Sequence, residues 1–203
     1  AFVVNAFVSL LKRADMTRYE LFLRETRTYE IIEDVKNFRS EIGVLFLNSY
    51  NRDVLTKMFD DNRLTYTSLF KARPHIFVSK SNPLAKHEVV SLEDLEEFPY
   101  LSYDQGIHNS FYYSEEILSQ IPHKKSIVVS DRATLFNLLI GLDGYTIATG
   151  ILNSNLNGDN IVSIPLDIDD EIDIVYLKHE KATLSKMGEK FLDNLVKEVT
   201  FDN

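Results

Sequence analysis

The sequence predicts an α/β fold, and three observations carry that prediction. Hydrophobic periods of helical and strand type alternate along most of the chain. The 203 residues are 44% hydrophobic, enough for a chain of this size to bury roughly 70% of its unfolded surface. Only seven glycines and five prolines interrupt it, which excludes collagen-like and linker-like chains.

The elements follow in order. Phe2, Val3, Ala6, Phe7, Leu10 and Leu11 recur at helical spacing, with Lys12 and Arg13 placed to complement the helix dipole. Tyr19, Leu21 and Leu23 alternate with Glu20, Phe22 and Arg24 and predict a strand. Ile31, Ile32, Val35 and Phe38 resume helical spacing, and Ile42 to Leu47 reads as a strand covered on both faces. A short helix near Val54 to Phe59 precedes extended segments at Leu64 to Phe70 and His75 to Ser79, then a turn at Ser81-Asn82-Pro83.

Ser91-Leu92-Glu93-Asp94 has the form of a capped helix start, and Tyr100 to Tyr103 reads as a strand ending in the loop Asp104-Gln105-Gly106. A helix is predicted from Phe111 to Ile121, stopped by Pro122. Ser126 to Val129 is a strand, Ser130 or Asp131 a cap, and Leu135, Leu138, Leu139 and Leu142 a helix face. Strands at Tyr145 to Thr149, Ile161 to Ile164 and Ile172 to Lys178 precede a last helix carrying Met187, Phe191, Leu192, Leu195 and Val196. Such alternation argues for parallel strands joined by crossover helices. The opening helix lacks the strand that should come before it, so a first strand is expected outside this chain.

Composition narrows function. With 31 acidic and 22 basic side chains the formal charge is -9, which opposes approach to a phosphate backbone. Cysteine is absent, so disulfides, zinc–thiolate sites and thiol nucleophiles are excluded, and a cytoplasmic location is expected. The apolar runs fall short of the ~20 residues a membrane span needs, and the opening residues do not form a secretory leader.

No catalytic motif emerges. Gly141 and Gly144 match neither dinucleotide nor P-loop spacing and read as a helix end. His87-Glu88 opens like a zinc-protease helix, but Ser91 stands where the second histidine is required. The aspartates from Asp167 to Asp173 lack the glycine and ligand spacing of a calcium loop and read as a solvated turn. No nucleophile elbow occurs, so neither a metal, a cofactor nor a catalytic residue is predicted.

What remains are polar clusters at strand-to-helix junctions: Thr26-Arg27-Thr28, Tyr103 to Ser110 with Gly106 and His108, Ser130-Asp131-Arg132, and Thr149-Gly150. In open α/β sheets ligands collect beyond the carboxyl ends of strands, where helix N-termini offer free N–H groups. Each cluster alone also reads as a helix cap. Together they predict a small polar or anionic ligand, with Arg27 and Arg132 supplying positive charge.

Ordered segments then resemble a known family. SEIGVLFL, FKARPHIFVSKSNPLAKHEVVSLEDLEEFPYLSY, SDRATLFNLLIGLDGYTIATGIL and EIDIVYLKHEKATLSKMGEKFLDNL resemble, in order and spacing, the effector-binding domain of LysR-type transcriptional regulators. The resemblance implies a two-lobed periplasmic-binding-protein-like (type 2) fold, each lobe a mixed sheet flanked by helices, joined by two crossover strands. It implies lobe I from 1–77 with 177–203 and lobe II from 78–176, with crossovers near Ile76 to Ser79 and Val175 to Lys178. The helix-turn-helix and linker helix of the family would lie outside this chain, as would the first strand.

The same resemblance implies a small-molecule effector between the lobes, contacted by Thr26, Arg27, Thr28, Tyr103, Gly106, His108, Ser130, Arg132, Thr149 and Gly150. It implies a homodimer or tetramer, with Phe2, Phe7, Leu10 and Tyr19 as a pairing surface; packing within the lobe is the competing reading of those four. DNA would be met only through the N-terminal domain. A solute-binding protein of a transporter is the alternative, and an enzyme on a related bilobal scaffold a weaker one.

Overall fold

The computed structural model describes residues 2–14, 17–152 and 159–200. Among them are five α-helices, α1 (Phe2–Arg13), α2 (Thr28–Lys36), α3 (Arg52–Asp61), α4 (Arg132–Gly141) and α5 (Lys186–Thr200). Eight strands accompany them: β1 (Gly43–Leu47), β2 (Leu64–Ala72), β3 (His75–Ser79), β4 (Tyr100–Tyr103), β5 (Ser126–Val129), β6 (Tyr145–Ala148), β7 (Ile161–Pro165) and β8 (Ile172–His179).

The strands form two sheets, ordered β1-β8-β2 and β5-β4-β6-β3-β7. In the first, β8 runs antiparallel to both neighbours, from Gly43 opposite Leu177 to Leu47 opposite Asp173 on one side. The parallel relation expected of β1 and β2 is present, with α3 as their crossover, but β8 arrives from the far end of the chain and separates them. In the second sheet β4 is parallel to β5 and β6, while β3 opposes β6 and β7. The chain passes between sheets at Arg73-Pro74 and returns between Leu166 and Glu171.

Packing follows the hydrophobic pattern. Ile32 and Val35 of α2 and Leu55 and Phe59 of α3 bury against Leu45, Leu47, Val175 and Leu177. Gly43 lets α2 come close: a Cβ there would stand 2.7 Å from Ile31 Cγ2 and 2.9 Å from Val35 Cγ2. Leu135 and Leu139 of α4 pack on Phe77, Leu101 and Val129 of the second sheet. A third cluster runs from Ile76, Tyr145 and Ile164 to Ile172 and Ile174 of β8, so one core tethers both sheets. No described helix is long and apolar enough to cross a membrane.

Two expected elements are not formed. Residues 18–27 run outside any helix or strand, with Tyr19 55% and Phe22 82% exposed. The alternating pattern is real, but a strand needs a neighbour to take its N–H and C=O groups, and among the described residues none pairs with it. The predicted helix from Phe111 to Ile121 is reduced to one 3-10 turn, Phe111–Tyr113. Leu118 takes a positive φ of 61°, which an α-helix cannot contain, and Glu116 turns inward instead of lying on a solvated face.

Smaller features match their sequence signals. Ser91 and Asp94 cap one another reciprocally, with Ser91 N donating to Asp94 Oδ2 at 2.8 Å and Asp94 N to Ser91 Oγ at 3.3 Å. Asp131, not Ser130, caps α4 by accepting from Thr134 N at 2.8 Å.

Candidate functional site

The start of α2 leans on loops of the second sheet, and the contact is built from complementary groups. Arg27 Nη2 donates to Asp104 Oδ2 at 2.7 Å and its Nε to the Asp104 carbonyl at 3.2 Å. Thr28 N–H, unpaired within its own helix, donates to Gln105 Oε1 at 3.3 Å, so α2 is capped from the opposite sheet. Tyr29 stacks on His108 with ring centroids 3.5 Å apart, and Tyr50 stacks on Tyr112 at 4.8 Å. At the start of α4, Arg132 Nε donates to Glu25 Oε1 at 2.6 Å while its guanidinium lies 5.3 Å from the Tyr103 ring centroid.

Between these contacts lies a cavity of about 700 Å3. One wall is the extended run from Glu20 to Thr26, Thr28 and the free edge of β1. The other is Phe77, Tyr103, Glu115, Glu116, Leu135, Phe136 and Ala148. The cavity has two ends of different character. Toward α1 and α5 it is a slot between β1 and the extended run; toward the second sheet it is a cleft lined by Tyr103, Arg132 and Thr149.

The structure sorts the residues expected to bind. Thr26, Thr28, Tyr103, Arg132 and Thr149 come together on the cavity wall. Arg27, Gly106, His108, Ser130 and Gly150 are not on it. Arg27 is engaged by Asp104, and Gly106, at φ +64°, lies against that guanidinium so closely that a Cβ would be 2.8 Å from Nη1. Its N–H and then Arg27 hold the Asp104 carboxyl below its ordinary range. His108 is stacked on Tyr29, Ser130 is exposed, and Gly150 packs on the His75 ring. The Thr26 hydroxyl donates to Glu30.

The residues expected to pair two subunits are distributed unevenly. Leu10 is buried, Phe7 meets Phe191 of α5 edge-on at 6.2 Å, and Phe2 meets Phe70 edge-on at 5.4 Å. Those three are occupied by packing inside the chain; Tyr19 is exposed.

Glu115 and Glu116 were not singled out by sequence reasoning. Burial raises both carboxyls above their ordinary range, and the neighbouring Glu115 charge raises Glu116 further. Glu116 Oε1 accepts from Tyr103 N–H at 3.1 Å, while Oε2 has no partner among the described residues. The available signal was two adjacent acids set between the aromatic run Phe111-Tyr112-Tyr113 and Ile117-Leu118.

Comparison with known families decides the affiliation, because residues 13–200 match the LysR substrate binding domain. The chain belongs to the LysR substrate-binding domain family. Its two-sheet architecture is that family's type 2 periplasmic-binding-like fold. The effector-binding domain of QuiR in complex with shikimate is similar at 17% identity, covering 96% of this chain and 88% of that one, with a TM-score of 0.62. The BenM effector-binding domain with benzoate gives 17% identity, 100% and 87% coverage and a TM-score of 0.63. HinK, a LysR family transcriptional regulator from Pseudomonas aeruginosa, gives 14% identity and a TM-score of 0.61, with 97% of this chain but 64% of that one covered. No curated protein matches the sequence.

Proposed function

We propose that this LysR substrate-binding domain senses a small molecule held between the lobes built on its two sheets. A change in the lobes' mutual arrangement would then be passed to partner subunits of a transcriptional regulator. The observation that carries this reading is the cleft end of the cavity, walled by residues of both sheets, since small ligands are held in such concave sites. QuiR and BenM domains, which share the fold, hold shikimate and benzoate.

The lobe boundaries are taken at the crossings, 73–74 and 166–171, a few residues before the 77/78 and 176/177 divisions that the family resemblance implies. The slot beside β1 is taken as the berth of the strand expected ahead of α1. DNA contact is assigned to a helix-turn-helix domain outside this chain, in keeping with the net charge of -9. We assign the domain to a cytoplasmic homodimer or tetramer, with the exposed run around Tyr19 and Phe22 as a pairing surface.

A thermal-shift screen of small metabolites tests the reading, since a ligand that prefers the folded state raises the melting point. Expected is a ligand whose stabilisation disappears when Ala148→Phe fills the cavity. Stabilisation that survives that substitution would locate binding elsewhere and refute the proposal.

A further inference from the structure

The charge pattern of the cleft narrows the ligand's chemistry, an inference that rests on the sensing proposal. Six carboxyl side chains and three guanidiniums line the cavity. All three guanidiniums are already engaged by carboxylates. Arg24 and Arg39 close on Asp34 at 2.5 Å and 2.8 Å, and Arg132 holds Glu25. Arg27, the other cation expected to receive an anion, holds Asp104, and the α2 N-terminus is capped by Gln105. A ligand carboxylate would therefore meet guanidiniums whose charge is already paired, and would compete with Asp34, Glu25 and Asp104 for it.

Carboxyl and hydroxyl oxygens, by contrast, include some without a partner among the described residues. Glu116 is only 3% exposed, lines the cavity, and leaves Oε2 without a hydrogen-bond partner among the described residues. Such atoms are rare in native interiors unless a ligand or water serves them. The Tyr103 hydroxyl on the same wall, able to accept as well as donate, is also buried and without a partner among the described residues. Glu115 stands beside them, and among the described residues its direct polar partner is Gln105, whose Nε2 makes a long contact of 3.5 Å. Around these groups the wall carries Phe77, Leu135 and Phe136, with Arg132, paired to Glu25, over the Tyr103 ring.

We propose that the effector is a small organic cation, a protonated amine or amidine whose charged head is held by Glu115 and Glu116 and whose apolar body lies on Phe77, Leu135 and Phe136. The strand-like slot at the other end of the cavity takes no part in this. Binding is coupled to a proton. The groups that face Glu116 are Glu115, Tyr100, Tyr103 and Arg132, and burial with the Glu115 charge favours its neutral acid. An entering cation favours the carboxylate, so a proton leaves Glu116 as the ammonium arrives, and affinity rises with pH through the carboxyl's raised range.

The test is titration calorimetry on the domain with probe sets sharing one carbon skeleton: benzylamine, benzyl alcohol and benzoate, and likewise benzamidine and benzamide. Expected is binding of the amine and amidine at least ten times tighter than of their neutral or anionic partners. Proton release should appear as a difference between buffers of unlike ionisation enthalpy. Glu116→Gln, which keeps the acceptor for Tyr103 N–H, should abolish that release and weaken the cation about tenfold; Glu115→Gln, farther from the core, should weaken it without disturbing the fold. Benzoate or the neutral probes binding as tightly as the cations, and blocked by Ala148→Phe, would overturn the cation assignment while leaving the sensing proposal standing. Cation binding unaffected by both glutamine variants would overturn the assignment to these carboxyls. Absence of binding by every probe would overturn it too, and a metabolite screen that also failed would remove the sensing proposal with it.

Discussion

Gly43→Ala is expected to destabilise the protein although adding a methyl to a glycine in ordinary backbone is normally favourable. The favourable part is the lost freedom of the unfolded chain, about 0.4–1 kcal/mol. Against it stand two methyls, Ile31 Cγ2 at 2.7 Å and Val35 Cγ2 at 2.9 Å from the new carbon. Carbon atoms settle about 3.5–4.0 Å apart, so the neighbours must withdraw by roughly 1 Å. Both are β-branched residues of α2, whose χ1 is nearly fixed in a helix. The helix itself must therefore retreat. Overpacking of this kind costs about 1–3 kcal/mol, leaving a net loss of roughly 0.5–2 kcal/mol.

For a chain of this length that is a fall of roughly 1–8 °C in melting temperature, at about 2–4 °C per kcal/mol. The retreat also draws Thr28 and Tyr29 away from Gln105 and His108, so ligand affinity should drop with stability. Gly141→Ala is the control. Nothing lies within 4 Å of its Cβ position at the end of α4, so a gain of roughly 0.5–1 kcal/mol is expected. Urea midpoints at constant slope measure both variants. A Gly43→Ala midpoint equal to or above wild type would refute the packing argument between α2 and β1.

Other perturbations separate the remaining parts of the account. The Glu116 carboxyl is raised above its ordinary range by burial and by Glu115, so the stability of wild type is highest below the unfolded pKa and declines as pH climbs through the folded value. Glu116→Gln should lack that decline and be the more stable protein at pH 8, with the difference vanishing near pH 4; parallel urea midpoints across that range would contradict it. Ser130→Ala, at an exposed position, should leave effector affinity unchanged, whereas Thr149→Val on the cavity wall should weaken it, as read by calorimetry. Leu177→Ala, fully buried in β8, the middle strand of its sheet, should cost about 2–5 kcal/mol by urea unfolding. Phe22→Ser should leave the melting point within experimental scatter and shift sedimentation toward the monomer; an unchanged sedimentation coefficient would exclude that surface from pairing.

Much of the fold was legible because burial and period coincide. The strands Tyr100–Tyr103 and Ser126–Val129 sit where their apolar runs begin and end. Where the sequence misled, a long-range partner decided. Tyr19 to Arg24 carries a strand's pattern without a strand beside it. The inverse holds for Phe111 to Ile121, whose helical spacing gives way because Glu116 is drawn in to accept the Tyr103 N–H.

The site was half legible for the same reason. Thr26, Thr28, Tyr103, Arg132 and Thr149 lie on the wall because strand ends and helix starts do face the cleft. Sequence could not say that Asp104, Gln105 and Glu25 would cross it to occupy Arg27, the α2 N-terminus and Arg132. Those partners lie 77 to 107 positions away, and only the fold brings them together.

The central claim is that a molecule between the sheets changes how the two lobes sit. The absence of cysteine makes site-specific labelling direct. Nitroxides on Lys57→Cys in α3 and Asn137→Cys in α4, both exposed positions, would report the inter-lobe distance by pulsed electron resonance. The account predicts a shifted or narrowed distance distribution that saturates with the calorimetric binding curve and is absent in Ala148→Phe. An identical distribution with and without saturating ligand would contradict it.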